Sequence, residues 1–301
     1  MIKGGTVGTI NGRTQGAIRL ALALCLCATL APSAVLARAR PAARTPILRS
    51  NSVYVLDEAA SAVLLSRRSD VAMPIASITK LMTALVVLEA GQPLDEQIEI
   101  TADDRDGPKS TGSRLDIGTT LSRGDLLHQA LMASENRAAH ALGRSYPGGV
   151  SACAAAMNAK AQSLGMKSAR FVEPTGLSSD NVASSADLAK LVLAAAQVPA
   201  IQNYSTDTSY TVPVLRHLVE FRNTDALVHN PTWNIIVQKT GYIAEAGRCL
   251  VMKAVFEGRS VVIVLLDSAG KSTRLADARR IRKWMESQLA ANALRVATQK
   301  V

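Results

Sequence analysis

Residues 74–89, PIASITKLMTALVVLE, give the clearest structural signal in the chain. Apolar side chains recur there with the period of one face of an α-helix, at Ile78, Leu81, Met82, Leu85 and Val86. The other positions of this segment are also mostly apolar, so the sequence predicts a buried helix that begins after Pro74. Ser77 and Lys80, three residues apart at the start of this helix, share one of its faces.

Strand-like segments lie towards both ends of the chain, most helical segments lie between them, and one helical segment follows the last strand. The strand-like segments are 52–57, 62–66, 233–240, 248–256 and 259–266. The helical segments are 126–132, 138–146, 150–164, 185–197 and 272–288. This order predicts an α+β fold, in which an antiparallel sheet flanked by helices is built from both chain ends and carries an inserted helical lobe. The cleft between the sheet and the lobe is the expected functional site.

The first 37 residues are typical of a signal peptide. Lys3, Arg13 and Arg19 precede the apolar residues 20–36, and small side chains at positions 35 and 37 predict cleavage before Arg38. A retained transmembrane anchor is the alternative, which the short uninterrupted apolar run disfavours. The sequence thus predicts an exported, periplasmic protein. Its expected parts are a flexible lead at 38–51, one folded domain at 52–288 and a C-terminal tail at 289–301.

The overall charge of the chain is positive. Its 301 residues carry a formal charge of +10, with 48% hydrophobic and 3% aromatic residues. This hydrophobic content is enough for a packed core. The charge suits an anionic polymer or an acidic membrane surface, although solubility alone explains it equally well. Because no nucleic-acid-binding signature is present, no nucleic-acid partner is expected.

Two cysteines follow the predicted signal peptide, Cys153 and Cys249. Export would permit a disulfide between them. Both lie in apolar sequence, however, so two buried free thiols are favoured. The sequence shows no CxxC pair, no cluster of metal-ligating residues and no phosphate-binding loop. We therefore expect neither a metal nor a cofactor.

Three short motifs carry residues suited to nucleophilic catalysis. In Ser77-Ile78-Thr79-Lys80, a partly desolvated lysine can take the proton that a serine hydroxyl loses when it becomes a nucleophile. In Ser134-Glu135-Asn136, a loop serine can relay a proton, and an amide can both donate and accept hydrogen bonds. In Lys239-Thr240-Gly241, two side chains can bind a carboxylate, and the glycine lets a substrate backbone approach.

Each motif alone is common: a helix cap followed by a surface lysine would explain the first, and an ordinary helix cap would explain the second. Together they are far more specific. The second motif begins 57 residues after Ser77, and the third begins 105 residues after Ser134. Each also lies on the type of element that its role requires. This trio is characteristic of penicillin-binding proteins and class A β-lactamases.

The chain resembles the low-molecular-mass penicillin-binding DD-peptidases, and among them the D-alanyl-D-alanine endopeptidases. The resemblance extends from about Ser52 to Ser287. It is carried by segments much longer than the motifs, namely ASITKLMTALVVLE (76–89), LMASENRAAHAL (131–142), AMNAKAQSLGMKSARFVEPTGL (156–177), FRNTDALV (221–228), WNIIVQKTGYIAEAGRCLVM (233–252) and ADARRIRKWME (276–286). It implies a β-lactamase/DD-peptidase-like fold, hydrolysis of D-Ala bonds in peptidoglycan peptides and covalent binding of β-lactam inhibitors.

The resemblance also implies catalytic roles. Ser77 would attack the D-Ala carbonyl, and Lys80 would accept the proton of Ser77. Ser134 would pass a proton towards the leaving amine. The backbone N–H groups of Ser77 and Tyr242 would form the oxyanion hole.

The remaining implied roles concern substrate binding. Asn136 would hold the peptide amide of the substrate. Lys239 and Thr240 would face the carboxylate next to the scissile bond, and Gly241 would give the substrate backbone room. Arg274 would add positive charge for that carboxylate, with a solvated surface arginine as the alternative.

The motifs do not separate an endopeptidase from a carboxypeptidase. The leaving amine lies beside a carboxylate both in a terminal D-Ala-D-Ala and in a D-Ala–diaminopimelate crosslink. The overall resemblance favours the endopeptidase, with a carboxypeptidase as the alternative. Because the tail lacks a clear amphipathic anchor pattern, we expect no stable membrane insertion after the signal peptide is removed.

Three other functions are less favoured. A β-lactamase needs a further base that acts on the acyl-enzyme, and Glu173 is a candidate, but its surroundings FVEPTGL resemble the DD-peptidase pattern. A catalytically silent wall-binding protein would not need all seven motif residues. A Ser-His-Asp hydrolase is disfavoured because the chain has no GxSxG elbow and no histidine in any motif.

Overall fold

The computed structural model describes Met1, residues 45–105 and residues 112–299. Apart from Met1, the predicted signal peptide, its cleavage site and the first half of the predicted flexible lead lie outside the described residues. All elements below belong to one compact unit, Ala42–Val301.

The strands and helices follow one another in the broad order that the sequence predicts. In chain order the strands are β1 (Ser50–Asp57), β2 (Ala62–Arg67), β3 (Met73–Pro74), β4 (Gln97–Glu99), β5 (Thr120–Ser122), β6 (Val182–Ala183), β7 (Ser209–Val214), β8 (His217–Arg222), β9 (Asn234–Ile243), β10 (Gly247–Phe256) and β11 (Arg259–Ser268). The α-helices of the described residues are α1 (Thr79–Glu89), α2 (Arg123–His128), α3 (Asn136–Arg144), α4 (Gly149–Ser163), α5 (Ser185–Ala195), α6 (Pro199–Thr206) and α7 (Thr273–Gln299).

The central sheet has five antiparallel strands in the order β2-β1-β11-β10-β9. The two ends of the chain meet in its middle, where Val55 of β1 pairs with Ile263 of β11. The predicted sheet and the α+β fold class are thus confirmed. β9 lies at one edge of the sheet and ends at Ile243, three residues later than the sequence predicts.

Two separate cores cover the two faces of the sheet. On one face, alternate residues such as Val251 and Val264 pack with α1 and the other helices of the lobe. On the opposite face, residues such as Met252 pack against Ala278 and Ile281 of α7. Such alternation is expected of strands that are buried on both faces. Every residue from Thr79 to Val87 of α1 is buried, as the sequence predicts.

The helix α7 continues to Gln299, well beyond the predicted end at residue 288. Residues 289–299 contain neither glycine nor proline and are rich in alanine and leucine, so nothing in their backbone ends the helix. None of the helices in the described ranges combines the length and the apolarity that crossing a membrane requires.

Both cysteines are buried and free, which confirms the preference for two unpaired thiols. Burial raises the pKa of the Cys153 thiol to about 12 and that of Cys249 to about 11. Since the thiolate is the reactive form, both side chains behave as inert core residues at neutral pH.

The hairpin of β7 and β8 and the helix α6 are absent from the sequence prediction. The hairpin turns at Leu215, whose φ of +52° is unusual for a branched side chain. Neither glycine nor asparagine marks this turn, and Pro213 within β7 disfavours a strand. The helix α6 does carry a recognisable start signal, because Pro199 is in its first turn.

Candidate active site

Ser77 lies on a short 3₁₀ turn, Ala76–Ile78, that leads directly into α1. The preceding residue, Ala76, has a φ of +49°. A left-handed conformation costs an alanine about 1–2 kcal/mol, so the surrounding structure must hold it in place. The Ala76 carbonyl accepts a hydrogen bond from Thr79 Oγ1 at 2.8 Å. The turn therefore sets Ser77 at the N-terminal end of a helix that is buried from Thr79 to Val87.

The amine of Lys80 lies among three oxygen atoms. Its Nζ is 2.9 Å from Ser77 Oγ, 2.6 Å from Asn136 Oδ1 and 2.6 Å from the Thr175 carbonyl oxygen. A neutral amine in this position can donate to Asn136 and Thr175 while its lone pair accepts the Ser77 proton. This geometry is what a general base for a serine nucleophile requires.

The second motif spans a break between two helices. After α2 the chain forms one π-helical turn, Gln129–Ala133, which ends at Ser134 with a φ of +60°. The helix α3 then begins at Asn136, two residues before the predicted start, with Glu135 as its cap. Because Asn136 opens the helix, its amide oxygen reaches Lys80. π-Turns of this kind are often found at functional sites.

The helix α3 is fixed by a buried charge. Asp104 accepts hydrogen bonds from His140 Nδ1 at 2.8 Å and from Arg144 Nη2 at 2.9 Å, both on α3. Burial alone would raise the pKa of Asp104, but these hydrogen bonds lower it to about 2. The carboxylate is therefore charged throughout the neutral range and holds α3, and with it Asn136, against the 3₁₀ turn Ala102–Asp104.

The third motif lies within β9 rather than at a strand end, because β9 keeps pairing with β10 as far as Ile243 and Gly247. Lys239 is fully buried, and its Nζ donates to the Thr240 carbonyl at 3.0 Å. Burial, followed by the nearby charges of Lys80 and Arg274, holds the pKa of Lys239 well below its usual range. A carboxylate placed beside Lys239 would stabilise its charged form.

Close backbone packing brings β9 to the nucleophile. A Cβ added to Gly241 would lie 3.0 Å from the Ile75 carbonyl oxygen and 3.1 Å from the Ser77 nitrogen. Any larger residue at position 241 would push the strand away from the turn. The backbone of Tyr242, the second predicted oxyanion donor, follows directly, while its ring is exposed and lies 4.4 Å from the Arg248 guanidinium carbon.

Gly176 packs still more tightly, and we expect Gly176→Ala to damage the site. Gly176 has a φ of +84°, and an added Cβ would lie 2.1 Å from the Ala76 carbonyl oxygen. The collision must displace the turn that carries Ser77, and displacements of this kind reduce rates about 100-fold. The measurements are the rate of acylation by a penicillin and the midpoint of thermal unfolding.

The matched control for this variant is Gly165→Ala. Gly165 has a similar φ of +68° but no neighbouring atom within 4 Å of an added Cβ. It should lower the unfolding midpoint through backbone strain alone and leave acylation intact. An equal loss of acylation in both variants would show that the contact with Ala76 is unimportant.

Arg274 is buried, which excludes the alternative of a solvated surface arginine. Within the described part of the chain, its Nε and Nη1 atoms are buried without a hydrogen-bond partner. Burial and the charge of Arg248 lower the pKa of Arg274, while the nearby Asp225 opposes this effect. Unpaired buried donors are costly, and a ligand carboxylate would satisfy them.

Sequence reasoning did not assign a role to Thr224, which connects two of the motifs. Its Oγ1 lies 2.7 Å from the Oγ1 of Thr240, and its backbone N–H donates to the Met132 carbonyl at 3.1 Å. Met132 belongs to the π-turn that precedes Ser134. Thr224 therefore joins β9 to the loop of the second motif. Threonine in a loop gives no signal that would have revealed this.

The Glu173 carboxylate is hydrogen-bonded to residues of its own loop. Its two carboxylate oxygens accept hydrogen bonds from the backbone N–H groups of Thr175, Gly176 and Ser178, from the Thr175 hydroxyl and from the Asn181 amide. A carboxylate with this many donors has no lone pair to spare for activating water. The contacts support the reading of FVEPTGL as a structural loop that presents the Thr175 carbonyl to Lys80.

Comparison with known proteins gives a consistent match. The sequence profile of the D-alanyl-D-alanine carboxypeptidase family matches residues 39–270. A Pseudomonas aeruginosa protein named D-alanyl-D-alanine endopeptidase is 47% identical over 261 residues, which cover 85% of this chain and 84% of that protein. An Escherichia coli protein of the same name is 45% identical and covers 88% of this chain and 87% of its own length.

Solved structures agree with the sequence matches. A D-alanyl-D-alanine carboxypeptidase from Mycobacterium tuberculosis superposes with a TM-score of 0.74 at 26% identity, over 82% of this chain and 94% of that one. A mutant of a Streptomyces DD-transpeptidase superposes with a TM-score of 0.73 at 26% identity, over 82% of this chain and all of its own. The predicted β-lactamase/DD-peptidase-like fold is therefore confirmed.

Proposed function

The chain belongs to the D-alanyl-D-alanine carboxypeptidase family and is a serine DD-peptidase, and on this premise we propose that it opens D-Ala crosslinks of peptidoglycan through an acyl-enzyme on Ser77. The observation that carries the proposal is the 2.9 Å contact between Lys80 Nζ and Ser77 Oγ. It places a buried amine against the hydroxyl of the first motif, within a site to which the other two motifs contribute.

In the acylation step, Ser77 Oγ attacks the D-Ala carbonyl carbon while Lys80 Nζ takes the hydroxyl proton. A C–O bond forms, and the carbonyl oxygen becomes an oxyanion that accepts hydrogen bonds from the backbone N–H groups of Ser77 and Tyr242. The C–N bond then breaks, and Ser134 passes a proton to the departing amine. The proton that Lys80 accepted replaces the one that Ser134 gave.

In the deacylation step, water attacks the ester carbon. The water proton passes through Ser134 to Lys80, the ester C–O bond breaks, and Lys80 returns the proton to Ser77 Oγ. A free D-Ala carboxylate is released on the acyl side. A β-lactam would follow the first step but leave an ester that water attacks slowly, which predicts a long-lived covalent adduct.

Substrate binding is assigned to the remaining motif residues. Asn136, whose amide oxygen is already bonded to Lys80 at 2.6 Å, holds a peptide amide of the substrate. Lys239, Thr240 and Arg274 bind the carboxylate next to the scissile bond. Because β9 is the edge strand of the sheet and Gly241 has no side chain, a substrate backbone can lie alongside it as an additional strand.

The endopeptidase activity is supported by the names of the two bacterial relatives at 47% and 45% identity. The preferred bond is the one between D-Ala and the side-chain amine of diaminopimelate in a second stem peptide. The N-terminal segment 1–37, with basic residues before an apolar stretch, supports export to the periplasm, where peptidoglycan is accessible.

The proposal is tested with the mature protein and a penicillin. Intact mass spectrometry followed by peptide mapping should reveal a stable one-to-one adduct on Ser77. Digestion of a crosslinked muropeptide dimer, followed by chromatography, should then yield two monomers. Rapid hydrolysis of the penicillin without an adduct would indicate a β-lactamase, and release of D-Ala without dimer cleavage would indicate a carboxypeptidase.

Lys239→Ala is expected to reduce activity selectively. It should lower kcat/KM about 10- to 100-fold for peptides with the carboxylate beside the scissile bond, because one buried charge-assisted contact is lost. Analogues in which this carboxylate is an amide should lose much less. The measurement is kcat/KM for both peptide series, with Lys271→Ala, an exposed lysine, as the control. A loss of equal size in both series would remove the carboxylate role from Lys239.

A further inference from the structure

A groove of about 280 Å³ adjoins the candidate active site at the loop of the second motif. Its walls include Ser134 and Asn136 of the site, together with Thr224, Arg114 and Phe221. Because two site residues line it, the groove is continuous with the place where the scissile bond lies.

Two of the lining residues place this groove on the leaving-group side. Ser134 is the proposed proton donor to the leaving amine. Thr224 Oγ1 lies 2.7 Å from the Oγ1 of Thr240, which faces the carboxylate next to that amine. The groove therefore borders the half of the substrate that departs.

Arg114 is positioned at the groove by two contacts. Its guanidinium carbon lies 4.1 Å from the centroid of the Phe221 ring, and its Nη1 donates to the Glu220 carbonyl at 2.8 Å. Stacking and a backbone hydrogen bond restrict the side chain, so less conformational entropy is lost on binding a ligand. The planar fork of N–H donors matches the geometry of a carboxylate.

Arg222 also lines the groove, but its charge is less available. Its side chain is 74% exposed and pairs with the Glu220 carboxylate at 3.2 Å. The carboxylate partner therefore partly neutralises the charge of Arg222 before a ligand binds. Arg114 is exposed as well, but its contacts are to an aromatic ring and a carbonyl oxygen, and neither neutralises its charge. Arg114 is therefore the principal cation of this groove.

We infer that the groove binds the leaving stem peptide of a diaminopimelate crosslink, and that Arg114 binds a carboxylate of this peptide. The inference rests on the proposed function. A free D-alanine, the leaving group of a carboxypeptidase, ends at the carboxylate held near Thr240 and has no further atoms to occupy the groove. The leaving amine of a crosslink carries a second peptide with additional carboxylates. Arg114 is thus a specificity residue that favours crosslinks over terminal D-Ala.

The test uses Arg114→Gln and Arg114→Lys with two substrates, a diaminopimelate-crosslinked muropeptide dimer and a monomeric pentapeptide that releases D-Ala. Values of kcat/KM are measured for both, and acylation by a penicillin is followed in parallel. Arg114→Gln should lower the ratio of dimer cleavage to D-Ala release about tenfold, mainly through KM for the dimer, because a charge-assisted contact is lost. Arg114→Lys keeps the charge and should lower the ratio less.

Arg279→Gln is the matched control, since Arg279 is exposed on α7, the helix on the opposite face of the sheet; it should leave the ratio unchanged. If Arg114→Gln lowers both activities by the same factor, or lowers neither, the inference is wrong while the proposed function stands. If the unaltered enzyme forms no adduct on Ser77, or cleaves no dimer, the proposed function fails and the inference fails with it.

Discussion

Ser77→Ala is expected to abolish both acylation by a penicillin and cleavage of crosslinked muropeptides. The Ser77 hydroxyl oxygen becomes the ester oxygen of the acyl-enzyme, and no atom of alanine can take its place. Removal of a serine nucleophile lowers the rate of such enzymes by about 10⁴-fold or more, with the residual rate coming from the oxyanion hole and binding. Intact mass after incubation with penicillin and chromatography of digested muropeptides are the two measurements.

The fold should survive this substitution, because Ser77 contributes a single hydroxyl at the edge of the turn. Ser163→Ala is the matched control. Ser163 is an exposed serine whose Oγ donates to the Lys160 carbonyl at 2.8 Å, within α4. Both variants should unfold close to the midpoint of the unaltered protein, and only Ser77→Ala should lose activity. A one-to-one penicillin adduct on Ser77→Ala would place the nucleophile elsewhere.

Lys80→Met is expected to slow acylation about 1000-fold, within the range that general base catalysis contributes. Methionine has a similar length but no lone pair that can take the Ser77 proton. The variant also leaves Asn136 Oδ1 and the Thr175 carbonyl without the donor that lies 2.6 Å from each. Some loss of stability should therefore accompany the loss of rate. Stopped-flow acylation with a chromogenic β-lactam gives the rate, and thermal unfolding gives the stability.

Lys80→Arg separates the role of the base from the role of the charge. Arginine is positive but does not lose its proton in proteins, so it should be nearly as inactive as methionine. Lys160→Met controls for loss of a lysine, because Lys160 pairs with Glu89 on the lobe surface, away from the motifs. Retention of most of the acylation rate by Lys80→Arg would show that Lys80 acts by its charge alone.

The central sheet could be predicted from the sequence because each of its strands has a recognisable local pattern of apolar residues. Alternating or continuous apolar runs bounded by turn residues are present at both ends of the chain, and their pairing follows from the need to bury them together. The hairpin of β7 and β8 could not be predicted in this way. It turns at Leu215 and contains Pro213, both of which contradict the usual signals for a hairpin.

The same contrast holds for the candidate site. The side chains that meet in the site, Ser77, Lys80 and Asn136, could be predicted because their identities and their order are unusual in combination. The parts that position them could not be predicted, since they act through backbone atoms that every residue has. The Thr175 carbonyl that contacts Lys80 and the left-handed φ of Ala76 are of this kind. Their contributions depend on conformation, which the sequence does not display.

The π-turn before Ser134 makes the site sensitive to chain length. A π-turn is an α-helix that has accommodated one extra residue. Loss of one residue from Gln129–Ala133 would allow α2 to continue with regular α-helical hydrogen bonds, and each following position would rotate by about 100° around the helix axis. Substitutions in this segment that preserve volume would keep Ser134 in register, whereas a single-codon deletion would move it out of its place in the groove. In related chains, alignment gaps are therefore expected to avoid these five positions, even where the residues themselves vary.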